Sequence, residues 1–224
     1  MKSEDLSEEA IRENCPHCNI KSQAFHDFLD ESDNFFIVCD SHPLEEGHIL
    51  LIPRKHISCI GEYPDDIIDE FLDLYKYIAK FIKKTYGSVA IFEHGITGQT
   101  VFHSHIHFLP FEGNPANIIP EGNEYIQQID SVIDLKKIFK KDGKYLFFSM
   151  GKSNWVVDTK ITAPRFFRDR FAISLGNRER ADWKKFHSNK SLMQEGYKEN
   201  EECKNKWKEY KRNDPTDLIK RTLQ

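Results

Sequence analysis

The sequence predicts an α+β protein in which an antiparallel sheet carries one long helix on a face. Three observations predict it. Residues 64–86 repeat apolar side chains at helical spacing, residues 35–39 and 48–53 are two apolar runs separated by turn residues, and residues 88–92 and 99–110 form a second such pair after the helix. Strands that follow one another along a chain can pair antiparallel through a short connection.

Residues 3–14 read as a short polar helix with acidic residues near its start, where the helix dipole favours them. Cys15-Pro16-His17-Cys18 follows as a tight turn. Two thiolates at this spacing can chelate one tetrahedral zinc ion. The other readings are a redox pair and two idle thiols. A redox pair belongs at the strand-to-helix junction of a thioredoxin-like unit, and none is evident here.

Residues 35–39, Phe-Phe-Ile-Val-Cys, are a β-branched and aromatic run behind the Asp33-Asn34 turn. Gly47 then opens a second strand over residues 48–53, and His56, just beyond it, reads by itself as a surface histidine. Pro64 suits the first turn of the long helix, and Asp65, Asp66 and Asp69 favour its N-terminus. Ile67, Ile68, Phe71, Leu72, Leu74, Tyr75, Ile78, Phe81 and Ile82 make its apolar stripe, and Gly87 ends it. Residues 88–92 form a strand, and residues 93–98 a glycine-bearing turn.

Residues 99–110 carry His103, His105 and His107 at alternate positions. In an extended strand these imidazoles share one face, about 6.5–7 Å apart, while Phe102, Ser104, Ile106 and Phe108 take the other, toward a core. Histidine is only intermediate in burial and needs partners when buried. Three on one face of a core strand therefore point to a working site; a polar stripe is the alternative.

Residues 111–123 are rich in Pro, Gly and Asn and divide the chain into a domain over 1–112 and an extension over 113–224. The extension reads as a helix over 131–141 ended near Gly143, strands 144–150 and 155–160 joined by a hairpin, and a helix from Pro164 to Gly176-Asn177. That helix interleaves Phe166, Phe167, Phe171 and Ile173 with Arg165, Arg168 and Arg170, which read as a solvated face, phosphate contact being the sharper alternative. A charged helix over 189–211 lies on the surface or docks on a partner.

The net charge of −4 offers no field to capture nucleic acid, and no apolar run approaches the roughly 20 residues of a membrane span. Residues 1–14 lack the apolar stretch of a signal peptide, and five cysteines, an odd number, argue against a disulfide framework. The expectation is a cytoplasmic protein.

Taken together, Cys15, Cys18, His56 and His103 would complete a closed zinc site of two cysteines and two histidines, one ion per chain, leaving His105 free. At this point residues 99–110, residues 47–56 and the Cys15-x-x-Cys18 turn resemble the histidine triad (HIT) superfamily, in its zinc-containing form with a C-terminal extension. The resemblance spans about residues 15–112. It implies a HIT-like fold and a hydrolase or nucleotidyltransferase acting at the α-phosphate of a nucleoside phosphate ester, anhydride or phosphoramidate, dinucleoside polyphosphates and nucleoside phosphoramidates included. His105 would be the nucleophile, forming a covalent nucleotidyl-histidine, with its other nitrogen held by a backbone carbonyl. His107 would donate to phosphate oxygens, and Gln99 and Thr100 would bind the phosphate or leaving group. Asp40 would accept from ribose hydroxyls, one of Phe35 and Phe36 would line a base slot, and His48 would support the triad from behind. Glu93 falls where members carry an amide touching phosphate; a carboxylate there repels phosphate unless it is protonated or paired, and the other readings are that it binds an amine or a metal or caps the loop. The resemblance also implies a homodimer through the helix and the sheet edge, which the extension can block. Two other functions compete. One is a nucleotide-binding module without turnover. The other is a metal-hydroxide hydrolase on His103, His105 and His107, which leaves Cys15 and Cys18 unexplained.

Overall fold

The structure, a computed structural model, describes residues 14–213, so the polar helix expected over 3–14 falls outside it but for Asn14. Eight strands form one sheet: β1 (Phe28–Glu31), β2 (Phe35–Cys39), β3 (Ile49–Pro53), β4 (Ala90–Gly95), β5 (Ile106–Leu109), β6 (Ile126–Ile129), β7 (Tyr145–Met150) and β8 (Ser153–Val157). Their order is β1-β2-β3-β5-β4-β7-β8-β6, and every neighbouring pair is antiparallel. The helices are α1 (Ile68–Tyr86), α2 (Pro115–Ile118), α3 (Asp134–Asp142), α4 (Phe166–Ser174), α5 (Trp183–Ser188) and α6 (Lys190–Asn213). None among the described residues is long and apolar enough to cross a membrane.

α1 forms where its stripe predicts, after a 3-10 turn at Asp65–Ile67, and Gly87 ends it with φ of 96° and an N–H bonded to the Lys83 carbonyl. Its buried face, Phe71, Leu74, Tyr77, Ile78, Phe81 and Ile82, packs on Phe35, Ile37, Ile49, Leu51, Ile106 and Phe108. Phe36, Val38, Leu50 and Ile52 form a separate cluster, as strand alternation requires. All residues of β2 and β3 are buried, which explains their unbroken apolar runs.

The boundary at 112/113 falls between β5 and α2, and the sheet crosses it. β7 pairs with β4 along its whole length, from Ala90 opposite Met150 to Gly95 opposite Tyr145. A second cluster, with Phe92, Phe148, Phe167 and Phe171 at its centre, joins this half of the sheet to α4. α6 does not lie free: Trp207 and Tyr210 set their rings against Tyr77 and Phe81 of α1. The extension thus packs on α1 through α6 and continues the sheet beyond β4 through β7.

Three details differ from expectation. β1 and β6 are four-residue strands at the two edges of the sheet, half polar and too short to stand out as apolar runs. β4 runs on to Gly95, so Glu93 is a strand residue and not part of the turn. The histidine strand starts only at Ile106, so His103 and His105 sit in the loop before it, and Phe102 is 60% exposed and not in the core.

Candidate active site

The Cys15–Cys18 turn is closed by the Cys18 N–H on the Cys15 carbonyl. It faces His56, just past β3, and His103. Cys15 Sγ is 3.5 Å from His103 Nδ1, and Cys18 Sγ is 3.3 Å from His56 Nδ1 and 3.4 Å from His103 Nδ1. A tetrahedral ion with Zn–S of about 2.3 Å and Zn–N of about 2.0–2.1 Å holds its sulfur and nitrogen ligands about 3.5 Å apart. The four donors, which lie within 4.8 Å of one another, therefore fit a metal ion. His103 Nε2 donates to the Pro53 carbonyl at 2.8 Å, which turns the Nδ1 lone pair toward the cysteines.

His105 is oriented by its own loop. Its Nδ1 lies 2.6 Å from the His103 carbonyl, which can only accept, so Nδ1 carries the proton. Burial lowers its pKa, against the pull of that carbonyl bond, so the ring is neutral and Nε2 holds a free lone pair.

His107 is fixed by a relay. The Leu44 N–H donates to His48 Nδ1 at 3.1 Å, so a neutral His48 must carry its proton on Nε2. Burial, opposed by Asp40, takes the His48 pKa down to about 4 and keeps it neutral. His48 Nε2 then donates to His107 Nδ1 at 2.9 Å, which leaves His107 with an N–H on Nε2. Phe92 stacks on the His107 ring at 4.2 Å, and Phe171 of α4 stacks on Phe92. Asp40, His48 and His107 also bring three donors together. A cation there would meet the His48 proton and the Arg168 guanidinium, 2.7 Å from Asp40.

A cavity of about 250 Å³ opens over these groups. Asp40, His105, His107, Gln99 and Thr100 line it. Gln99 donates from Nε2 to the Ser58 carbonyl at 2.8 Å, so its amide oxygen is the group left over. Asp40 is engaged on both oxygens, by the His42 N–H at 2.9 Å and by Arg168. Burial raises its pKa, but Arg168, His48 and His42 outweigh that and hold it at about 2.

One expectation is corrected. Neither Phe35 nor Phe36 lines the cavity: Phe35 packs under α1, and Phe36 packs on Phe25 with Arg54 over its ring. Glu93 does not line the cavity and is paired, one of the readings given for it above. Strand alternation turns it to the core side, where it accepts from the Ile60 N–H at 3.0 Å, the Ser104 hydroxyl at 2.8 Å and the Tyr145 hydroxyl. Burial raises its pKa to about 7 in spite of those donors.

Other lining residues were not among the expected site residues. His94 lies one residue past Glu93 on the cavity side and accepts from the Phe167 N–H at 3.2 Å. His17, between the two cysteines, sets its ring against His105 at 4.9 Å. Arg165, Arg168 and Trp183 come from the extension. Arg168 is buried and not solvated, with one nitrogen on Asp40 and another on the His42 carbonyl at 2.7 Å. Its place directly after Phe166 and Phe167 was the available hint.

Residues 21–114 match the HIT domain family. A HIT-like protein of Chlamydia trachomatis is 31% identical over 87 residues, covering 37% of this chain and 78% of that protein. An adenylylsulfatase of Arabidopsis thaliana is 31% identical over 86 residues, 37% of this chain and 44% of the plant protein, so the chain spans less than half of that relative's length. An adenosine 5'-monophosphoramidase of Saccharomyces cerevisiae is 28% identical over 106 residues, 47% of this chain and 67% of the yeast protein.

Proposed function

The chain belongs to the HIT domain family, and from that premise we propose that it is a nucleotide hydrolase or nucleotidyltransferase acting at an α-phosphate through His105. The observation that carries this reading is the 2.6 Å contact between His105 Nδ1 and the His103 carbonyl, which leaves Nε2 as an unprotonated nucleophile. Adenylylsulfatase and adenosine 5'-monophosphoramidase, the names of two relatives, support a derivative of adenosine 5'-phosphate as substrate.

In the first step the Nε2 lone pair attacks the α-phosphorus and the bond to the leaving group breaks, the leaving group taking the electron pair. The positive charge on His105 is held by the Nδ1–H bond to the His103 carbonyl. His107 Nε2–H donates to the oxygens that gain charge. In the second step water, or another acceptor, attacks phosphorus, the N–P bond breaks, the pair returns to Nε2, and the attacking oxygen gives up its proton to solvent. Cys15, Cys18, His56 and His103 would hold a zinc ion whose role is structural, tying the N-terminal turn to the end of β3 and the His103 loop. A metal hydroxide on His103, His105 and His107 fits less well, because His103 Nδ1 faces the cysteines and His107 Nδ1 faces His48.

The test is release of AMP from adenosine 5'-phosphoramidate by the purified protein. Turnover that falls by at least about 10³-fold in His105→Ala supports the reading. Equal turnover by the two proteins contradicts it.

A further inference from the structure

A polar cluster outside the cavity ties the loop that carries His105 to the core. Glu93, Ser104, Tyr63 and Tyr145 are all buried, and none of them lines the cavity. Their hydrogen bonds interlock. The Ser104 hydroxyl gives its one proton to Glu93 Oε1 at 2.8 Å, so the Tyr63 hydroxyl, 2.8 Å from Ser104 Oγ, donates in the second bond. Glu93 also accepts from the Ile60 N–H at 3.0 Å and from the Tyr145 hydroxyl, and Tyr145 accepts from the Gly61 N–H at 3.2 Å. Tyr145 opens β7 of the extension, and a side chain at Gly95 would clash with its ring.

The cluster bears on one peptide group. His105 Nδ1 is held at 2.6 Å by the His103 carbonyl, and the N–H of that same peptide unit belongs to Ser104. That N–H donates to the Ile57 carbonyl at 2.6 Å. The peptide is planar, so turning its N–H turns its C=O as well. Its orientation is therefore set by Ile57 through the N–H and by Glu93 through the Ser104 side chain. Glu93 thus joins two segments, accepting from Ile60 in one and from Ser104 in the other. Ser58, whose carbonyl receives the Gln99 amide, lies in the first of them.

Stability alone does not call for this arrangement. Replacing both partners of a buried hydrogen bond by apolar groups of the same shape can be nearly neutral. An apolar pair at 93 and 104 would fill the space but give the peptide no direction. Nor is the charge of Glu93 needed. Oε1 takes both the Ile60 N–H and the Ser104 hydroxyl, so a proton on the carboxyl falls on Oε2 and leaves the Ser104 bond in place.

We propose that Glu93 is a positioning residue for the nucleophile: its acceptor oxygen, acting through Ser104, fixes the peptide that orients His105, and Tyr145 of the extension braces it. Its part in turnover rests on the nucleotidyl reading of the site.

The experiment compares the full chain with Ser104→Ala, Glu93→Met and Glu93→Gln, the last keeping an acceptor oxygen. One readout is kcat and KM for AMP release from adenosine 5'-phosphoramidate, scaled to folded, metal-loaded protein. The other is the His105 Nδ1–H resonance in proton–nitrogen NMR of the imidazole rings, which needs no substrate. Ser104→Ala and Glu93→Met should lower kcat by roughly 10- to 100-fold with KM changed by less than about threefold, and should shift or broaden that resonance. Glu93→Gln should recover most of the kcat loss and the wild-type resonance. If Glu93→Met does not fold, Ser104→Ala carries the comparison, since it removes only a hydroxyl. A scaled kcat within about threefold of wild type in Ser104→Ala, with the resonance unmoved, would overturn the proposal by leaving the cluster a part of the fold alone. Glu93→Gln as impaired as Glu93→Met would overturn it too, because an acceptor oxygen would then not suffice. A wild-type protein without turnover would sink the nucleotidyl reading, and the resonance would still decide whether Glu93 positions His105.

Discussion

Arg168 and Asp40 lie 2.7 Å apart, both buried, although 128 positions separate them in the chain. Their contact joins the extension to the floor of the cavity, because Asp40 Oδ2 is also 3.6 Å from His48 and 3.8 Å from His107. A buried carboxylate without this partner would face two histidines and no compensating charge.

Removing one member of that pair is therefore predicted to cost more than removing both. Arg168→Met should destabilise the fold by about 3–5 kcal/mol, because it leaves a buried charge unpaired. Asp40→Asn together with Arg168→Met should recover much of the loss, measured as a double-mutant cycle in urea. The sign with pH follows from the Asp40 pKa of about 2, below its unfolded value. The pair's contribution is fully present above about pH 4 and is lost as pH falls toward 2.

Glu93 predicts the opposite slope. Its folded pKa of about 7 lies above the unfolded value near 4.3, so the folded state holds an extra proton between them. Stability from this group falls as pH rises through that window, by up to about 4 kcal/mol. The buried neutral histidines act in the other direction over an overlapping range, so the quantity to measure is the difference between wild type and Glu93→Gln. That difference should shift in favour of Glu93→Gln from pH 4.5 to pH 7.5; a constant difference would contradict the assignment.

The four-donor cluster predicts one zinc ion per chain. Metal analysis of protein purified without chelator should give close to one equivalent, and Cys18→Ala should lose the metal and lower the Tm. Occupancy well below about half would contradict the assignment.

Trp207 tests whether the last helix belongs to the fold. It is 1% exposed and packs on Phe81 at 4.9 Å between ring centroids. Trp207→Ala should cost about 3–5 kcal/mol in urea denaturation. A loss under about 0.5 kcal/mol would mean that the helix is peripheral.

Much of this was legible in the sequence wherever a side-chain pattern repeats. The α1 stripe could be read because burial on one face imposes a period, and the β2 and β3 runs because burial on both faces leaves only apolar residues. The metal cluster could be read because the Cys15-x-x-Cys18 spacing is local and His103 falls within a histidine repeat. What could not be read depends on pairing between distant segments. The edge strands β1 and β6 are short and half polar and acquire strand form from their neighbours. Arg168 looked like a surface residue because Asp40, which buries it, lies in the other half of the chain. Phe36 was taken as a candidate for the base slot, but Phe25 and Arg54 occupy the space around it. The histidine repeat suggested one continuous strand, whereas the chain leaves the sheet before Ile106 so that His103 can turn to the cysteines.

The central claim is that His105 Nε2 is the nucleophile. The most direct test is intact-mass spectrometry of the protein mixed briefly with adenosine 5'-phosphoramidate and quenched under alkaline conditions, where an N–P bond to histidine survives. The account predicts a mass increase of one adenylyl group in wild type and in His107→Ala, and none in His105→Ala. AMP released at the wild-type rate by His105→Ala, with no adduct on either protein, would contradict it.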